Sequence, residues 1–151
     1  MTAKVFVDSN ILVYAHDADA RHRQRIAAAR LKALWEEQLG CISTQVLQEF
    51  YVTVTQKLGK PLSASYARDI VRDYAQWVAS PTTAQTVIRA SEIGEVWKLS
   101  FWDSLILAAA EEQDCSTVLT GDLNPGRTVA GIQIVNPFLP DRTSHGVKDR
   151  N

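Results

Sequence analysis

The stretch that decides the fold is Lys4–Ala15, with the sequence K-V-F-V-D-S-N-I-L-V-Y-A. Its apolar start, Val5 to Val7, consists of residues that favour β-structure and is typical of a strand buried on both faces. Asp8, Ser9 and Asn10 follow at once, before a second apolar run. Open α/β sheets bind ligands beyond the carboxyl ends of such strands. Asp8 is therefore a candidate site residue, although an aspartate here can equally cap a short helix that begins at Ser9.

The rest of the chain alternates short apolar strands with amphipathic helices. Strands are predicted near residues 4–7, 41–43, 117–120 and 132–135, with helices between them. The helix before the second strand is expected to stop at Gly40. Helical connections of this kind produce a parallel sheet with both faces covered. The expected fold is α/β, a three-layer α/β/α domain with a small central parallel sheet over residues 1–140, followed by a polar tail, residues 141–151.

Composition and charge exclude several classes of protein. The 151 residues are 46% hydrophobic and 22% charged, which is typical of one globular domain. The net charge is −1, so any surface that attracts nucleic acid must be local. Cys41 and Cys115 match no metal-site spacing and form no disulfide framework. With no signal peptide or membrane-spanning run in the sequence, a cytoplasmic location is expected.

Three later acids stand at positions comparable to that of Asp8. Glu49 lies near the start of a predicted helix, at the border between core and solvent. Asp103 follows Ser100 at the start of the most apolar helix, where the pair also fits a capping box. Asp122 follows the third strand in T-G-D, where aspartate commonly forms turns. Asp103 and Asp122, like Asp8, thus each have a structural interpretation when taken alone.

Taken together, the four acids indicate a cation site. Positions beyond parallel strands and in the first turns of helices can all face one edge of the sheet. At about 5 Å and an effective dielectric of about 20, each pair of carboxylates costs roughly 3 kcal/mol, so protons or cations must lie among them. Carboxylate and water ligands suit Mg²⁺ or Mn²⁺. Zinc is disfavoured because no histidine or cysteine cluster accompanies the acids.

Four segments resemble those of the PIN domain, and specifically of the VapC-like toxin ribonucleases of type II toxin–antitoxin systems: V-F-V-D-S-N-I-L-V-Y-A, Q-E-F, S-F-W-D-S-L-I-L-A-A-A and V-L-T-G-D-L. The resemblance covers about residues 4–138. It implies an Mg²⁺- or Mn²⁺-dependent endoribonuclease that cleaves RNA phosphodiester bonds, with an antitoxin partner that blocks the site. The residues that match the acids of the family are Asp8, Glu49, Asp103 and Asp122.

The resemblance also suggests a role for each residue. Asp8 and Asp103 are interpreted as the main metal ligands. Glu49 and Asp122 would hold a second ion, or orient and deprotonate the attacking water. Polar neighbours would fix the ligands and waters, namely Ser9, Asn10 and Thr120.

Two other classes of protein place an acid after the first strand. A haloacid-dehalogenase-like phosphatase carries D-x-D there, but Asn10 replaces the second acid and no later lysine motif stands out. A receiver-like signalling module has adjacent acids, and a lysine where this chain has Asn136-Pro137. A third alternative, an inactive PIN-like binding protein, is disfavoured by the presence of all four acids.

The aromatic residues indicate a homodimer. The four tryptophans, Trp35, Trp77, Trp97 and Trp102, mostly fall on apolar helical stripes, which predicts core or dimer contacts. A role in base stacking is the alternative. Helices this rich in tryptophan and tyrosine exceed what a monomer needs to cover a small sheet, and the family resemblance points to a homodimer as well.

Overall fold

The computed structural model describes residues 3–123 and 125–140, and its central sheet has five strands. Their order across the sheet is β2-β1-β3-β5-β4, with β4 antiparallel to β5 and the other pairs parallel. The strand bounds are β1 Lys4–Val7, β2 Gly40–Cys41, β3 Cys115–Leu119, β4 Thr128–Val129 and β5 Ile132–Val135. The predicted tail, residues 141–151, lies outside the described residues.

Helices flank the sheet. Among them, α6 packs on β3 and β5, while α1 packs against α2 and α3. This arrangement confirms the predicted α/β/α fold with a mostly parallel sheet. No helix in the described ranges is long and apolar enough to cross a membrane. The helix bounds are α1 Ser9–Ala15, α2 His22–Glu37, α3 Thr44–Gln56, α4 Ala64–Tyr74, α5 Ala84–Trp97 and α6 Phe101–Glu112.

Pairing of β1 with β3 fixes the position of the two residues that follow these strands. Val7 is opposite Leu119, and both side chains are fully buried. Burial of such a side chain contributes roughly 1.5–3 kcal/mol, so the register resists slipping. The next residues, Asp8 and Thr120, consequently lie side by side at the carboxyl edge of the sheet, where the Asp8 N–H also donates to the Leu119 carbonyl at 3.0 Å.

Gly40 does not end α2, contrary to the sequence prediction. The helix ends at Glu37, and Gln38 adopts the left-handed conformation (φ 59°) that terminates it. Gly40 instead belongs to β2, where a Cβ atom would lie 2.6 Å from ring atoms of Trp77. Gly40 is therefore required for the close approach of Trp77. The helix is terminated by Gln38, which is not a glycine.

The sequence prediction missed β4. This strand has two residues and pairs with β5 through a two-residue turn in which Ala130 (φ 52°) and Gly131 (φ 81°) are both left-handed. Two positive φ angles define the hairpin turn that usually carries Asn-Gly or Asp-Gly. Because this turn has Ala130 at its first position in place of Asn or Asp, the sequence did not indicate a hairpin. The predicted third strand, 117–120, begins two residues earlier and ends at Leu119.

Candidate active site

Asp8 lies at the centre of the candidate site. Its side chain is only 7% exposed, and its Oδ2 accepts a hydrogen bond from the Thr120 hydroxyl at 2.8 Å. Its Oδ1 accepts from the Ser9 backbone N–H at 2.7 Å, which makes Asp8 the N-cap of α1. Both interpretations of this residue therefore hold, since one carboxylate oxygen caps the helix and the other faces Thr120.

Asn10, in the first turn of α1, links that helix to the loop after β3. Its Oδ1 accepts from the Gly121 N–H at 2.8 Å, which turns the amide nitrogen toward the acids. That nitrogen lies 3.2 Å from Asp8 Oδ2, 3.0 Å from Asp122 Oδ2 and 3.3 Å from Thr120 Oγ1. An amide has two N–H groups, so it can serve only two of these three acceptors fully at a time. Asn10 thus brings Asp122 next to Asp8 and offsets part of their repulsion.

Glu49, on α3, contacts the residue next to Asp8. Its Oε1 accepts from the Ser9 hydroxyl at 3.1 Å, and its Oε2 lies 3.4 Å from Gln45 Nε2. The same Gln45 nitrogen lies 3.4 Å from the Trp102 carbonyl at the start of α6. Gln45 therefore links the α3 acid to the helix that carries Asp103. The sequence analysis missed Gln45, although its i, i+4 spacing from Glu49 was a signal that the two side chains share a helix face.

Asp103 occupies the first turn of α6 and is half-buried. Its backbone N–H donates to Ser100 Oγ at 3.1 Å, so the serine side chain caps the helix. Within the described residues no hydrogen bond or ion pair involves the Asp103 carboxylate, so only one half of the predicted capping box forms. The structure places Asp103 one residue from the carbonyl that Gln45 contacts, but no hydrogen bond joins the Asp103 carboxylate to Asp8, Glu49 or Asp122.

The site geometry agrees with an independent sequence comparison. A family model described as the PIN domain matches residues 5–130. The chain belongs to the PIN domain family. The match includes all four acids together with Asn10 and Thr120, and it confirms the family that the sequence motifs predicted. A search among curated proteins found no match.

Solved structures resemble this PIN domain over most of its length. A toxin–antitoxin complex from Klebsiella pneumoniae gives a TM-score of 0.64 at 18% identity, covering 89% of this chain and 98% of that one. DNA-bound VapBC from Salmonella typhimurium gives 0.60 at 18%, with coverages of 88% and 97%. FitAcB from Neisseria gonorrhoeae gives 0.58 at 16%, with coverages of 89% and 98%. At such identities the likeness is one of fold.

Burial makes the Asp8 carboxylate of the PIN domain costly to ionise. The pKa of Asp8 is raised from 3.8 to about 6, chiefly by desolvation and also by the negative charges of Glu49 and Asp122, although hydrogen bonds from Thr120 and Ser9 act to lower it. A buried carboxylate with acidic neighbours is stabilised in its charged form by a nearby cation. The electrostatics of the site therefore favour positive charge beside Asp8.

The donor atoms at this edge fit a hard divalent cation. Carboxylate, hydroxyl and amide oxygens dominate the site, and the buried Gln45 Oε1 has no hydrogen-bond partner among the described residues. Within residues 3–123 and 125–140, no three or more His, Cys, Asp or Glu side chains form a group that could hold a metal ion. Mg²⁺ does not require three such side chains, because it retains several waters and binds through one or two carboxylates plus substrate phosphate.

Stability of the metal-free protein is expected to decrease with rising pH because of Asp8. The pKa of Asp8, about 6, is above its ordinary 3.8, so the folded state binds this proton more tightly than the unfolded chain. The resulting stabilisation is complete below about pH 4 and is lost as the pH rises through about 6, with a magnitude of roughly 3 kcal/mol. Urea unfolding in a chelator across this range measures it. Asp8→Asn should lack this component, and identical pH profiles for the two proteins would contradict the prediction.

Proposed function

We propose that this PIN domain is an Mg²⁺- or Mn²⁺-dependent endoribonuclease and acts as the toxin of a toxin–antitoxin pair. PIN domains are nucleases, and membership of the family places the chain in that class. The observation that carries the proposal is the convergence of three acids at the carboxyl edge of β1 and β3, where Asn10 contacts Asp8 and Asp122 and the neighbouring Ser9 hydroxyl contacts Glu49. Asp8 and Asp122 lie 114 positions apart in the chain.

The residues of the acidic edge have different proposed roles in phosphodiester hydrolysis. Asp8 and Asp103 would hold the metal ion, with Asp122 and Glu49 available for a second one. A bound divalent ion would neutralise phosphate oxygens, lower the pKa of water and stabilise the leaving oxygen. Glu49 is exposed and can accept a proton from the attacking water. A smaller set orients these groups through the contacts described above, namely Ser9, Asn10, Gln45 and Thr120.

The alternative functions have less support. A haloacid-dehalogenase-like phosphatase needs a second acid where this chain has Asn10, and that amide contacts Asp8, Thr120 and Asp122. A receiver-like module needs a lysine at the end of the last parallel strand, where Asn136 lies beyond β5. Membership of the PIN domain family favours neither. An inactive binding protein is disfavoured because all four acids are present.

The proposed partner is an antitoxin protein. The similar structures from Klebsiella pneumoniae and Salmonella typhimurium are described as a toxin–antitoxin complex and as VapBC bound to DNA. For this chain we infer a cognate antitoxin that covers the acidic edge and blocks RNA entry, in the cytoplasm. Addition of that antitoxin to the purified protein should inhibit RNA cleavage in proportion to the complex formed.

Removal of divalent metal should abolish RNA cleavage. Purified protein is expected to cut single-stranded RNA with Mg²⁺ or Mn²⁺, to lose the activity in EDTA, and to recover it when excess metal is added, because the acids cannot activate water alone. Gel analysis of labelled RNA measures the effect, with aryl-phosphate hydrolysis and acetyl-phosphate labelling run in parallel. Full RNA cleavage in EDTA would refute the metal requirement, and aryl-phosphate hydrolysis alone would favour the phosphatase.

A homodimer is the second expectation for the purified protein. Helix α5 exposes three large apolar side chains, Val87, Ile88 and Val96, the last being 69% exposed, and exposed apolar area favours self-association. A stable pair buries roughly 1,200–2,000 Å² in total. Sedimentation at micromolar concentration should give a dimer, and Val96→Lys should shift it toward the monomer. A monomer for the unsubstituted protein without antitoxin would count against this assembly.

A further inference from the structure

Trp102 is the most exposed aromatic side chain in the described part of the chain. It is 63% exposed, in the first turn of α6, so of the predicted core, dimer and stacking roles the structure excludes only the core contact. The Phe101 ring packs against it edge-on, with 5.2 Å between ring centroids and 79° between ring planes. The indole thus has a support on one side and remains accessible to solvent.

The backbone of this exposed residue is linked to the acidic edge. Trp102 precedes Asp103, and its carbonyl accepts from the buried Gln45 side chain, whose same nitrogen lies 3.4 Å from Glu49. Its position is therefore set by the residue that also contacts a candidate catalytic acid. Single exposed apolar residues are common on protein surfaces, so the link to the site is what separates Trp102 from them.

We propose that Trp102 is a stacking platform for an unpaired RNA base next to the phosphodiester that is cut. This inference rests on the proposed function. Proteins that bind single strands stack bases on aromatic side chains, and each such contact carries a substantial part of the affinity. A net charge of −1 supplies little overall attraction to RNA, so stacking has more to contribute here than in a basic protein. Lys98, exposed just before α6, adds a local positive charge.

The platform defines a substrate class. Bases in an RNA duplex are already stacked on each other and present only their edges, so they cannot lie flat on an indole. The preferred cleavage position would be an unpaired nucleotide in a single strand or a loop. Because every base has a π-face, the platform selects for unpaired structure more than for a particular base.

The test compares Trp102→Ala and Trp102→Phe with the unsubstituted protein, and Tyr66→Ala is the matched control. Tyr66 is also an exposed aromatic residue in the first turn of a serine-capped helix, α4. Binding of a labelled single-stranded RNA is measured by anisotropy with Asp8→Asn in every protein, so that no cleavage occurs. Cleavage of single-stranded and duplex RNA is measured without it. Sedimentation and melting curves accompany each variant.

Trp102→Ala is expected to weaken single-strand binding by about 5- to 150-fold, with the loss appearing in KM more than in kcat. Trp102→Phe should recover most of the binding, and Tyr66→Ala should bind as the unsubstituted protein does. RNA should quench a tryptophan fluorescence component that Trp102→Phe lacks. A purely structural role for the indole would not produce that spectroscopic difference.

Three results would overturn the inference. Cleavage and binding unchanged in Trp102→Ala would remove Trp102 from the RNA surface while leaving the proposed nuclease function intact. A shift from dimer to monomer in Trp102→Ala, without the fluorescence difference, would assign the indole to a protein contact. Absence of RNA cleavage and binding by the unsubstituted protein with Mg²⁺ would instead refute the proposed function, and the platform with it.

Discussion

Asp8→Asn is expected to reduce RNA cleavage by at least about a hundredfold, the scale of losing one charge-stabilising group in an active site. Asparagine retains the shape and caps helices as well as aspartate does, so α1 should still form. The change removes the negative charge from the most buried carboxylate of the site, which accepts from Thr120 and Ser9. Metal-free protein should be equally or more stable, because the desolvation cost of this charge disappears.

Asp17→Asn is the matched control for Asp8→Asn. Asp17 is also an N-cap aspartate and accepts from a backbone N–H, that of Asp19 at 3.0 Å. Asp17→Asn should leave cleavage unchanged. The comparison therefore distinguishes loss of an active-site carboxylate from loss of a carboxylate that only caps a helix. Full activity of Asp8→Asn, with contaminating nuclease excluded by a second purification, would refute the assignment of this edge as the active site.

Asp103→Asn is expected to lower cleavage by orders of magnitude while leaving the metal-free protein equally or more stable. Ser100 caps α6, and the Asp103 carboxylate has no structural partner in the described residues. Stabilisation by added Mg²⁺, which reaches about 2.7 kcal/mol at a concentration a hundred times the Kd, should shrink in this variant because a ligand stabilises only through its affinity for the folded state. Melting curves with and without Mg²⁺, beside the RNA assay, measure both effects.

Ser100→Ala separates the two interpretations of Asp103. Loss of this N-cap should cost about 1 kcal/mol of stability and retain the response to Mg²⁺. Asp103→Asn should show the opposite pattern, with stability kept and the metal response reduced. An active Asp103→Asn whose stability falls by a few tenths to about 1 kcal/mol would mean that the carboxylate serves the helix end only.

The fold was largely predictable because apolar periodicity and capping residues carry local information. Ser43, Ser63, Thr83 and Ser100 each cap a helix at the position where a polar residue precedes an apolar stripe. Helix ends were less predictable. Gln38 adopts a left-handed conformation with no glycine to announce it, and the glycine two residues later serves a contact with Trp77 that is distant in the chain.

The acids of the candidate site could be predicted from the sequence, but the hydrogen bonds that link its residues could not. Asp8 and Asp122 could be placed from the strands that they follow. The contact of Asn10 with Gly121 depends on the β1–β3 register, which is a tertiary property. The link from Gln45 to Trp102 depends on how α3 meets α6, and no local pattern encodes it. Whether Trp102 lies in the core or on the surface depends on the same packing.

Pairing of β1 with β3 also has a consequence for the synthesis of the protein. Asp8 is translated early, whereas Thr120, which fixes its orientation, is translated 112 residues later. Thr120 is itself held by a hydrogen bond from its N–H to the Val135 carbonyl in β5. Contacts of such long sequence separation form only after most of the chain is available. The Asp8–Thr120 contact therefore requires β3 to have been synthesised, and the acidic edge that depends on it is completed late in translation.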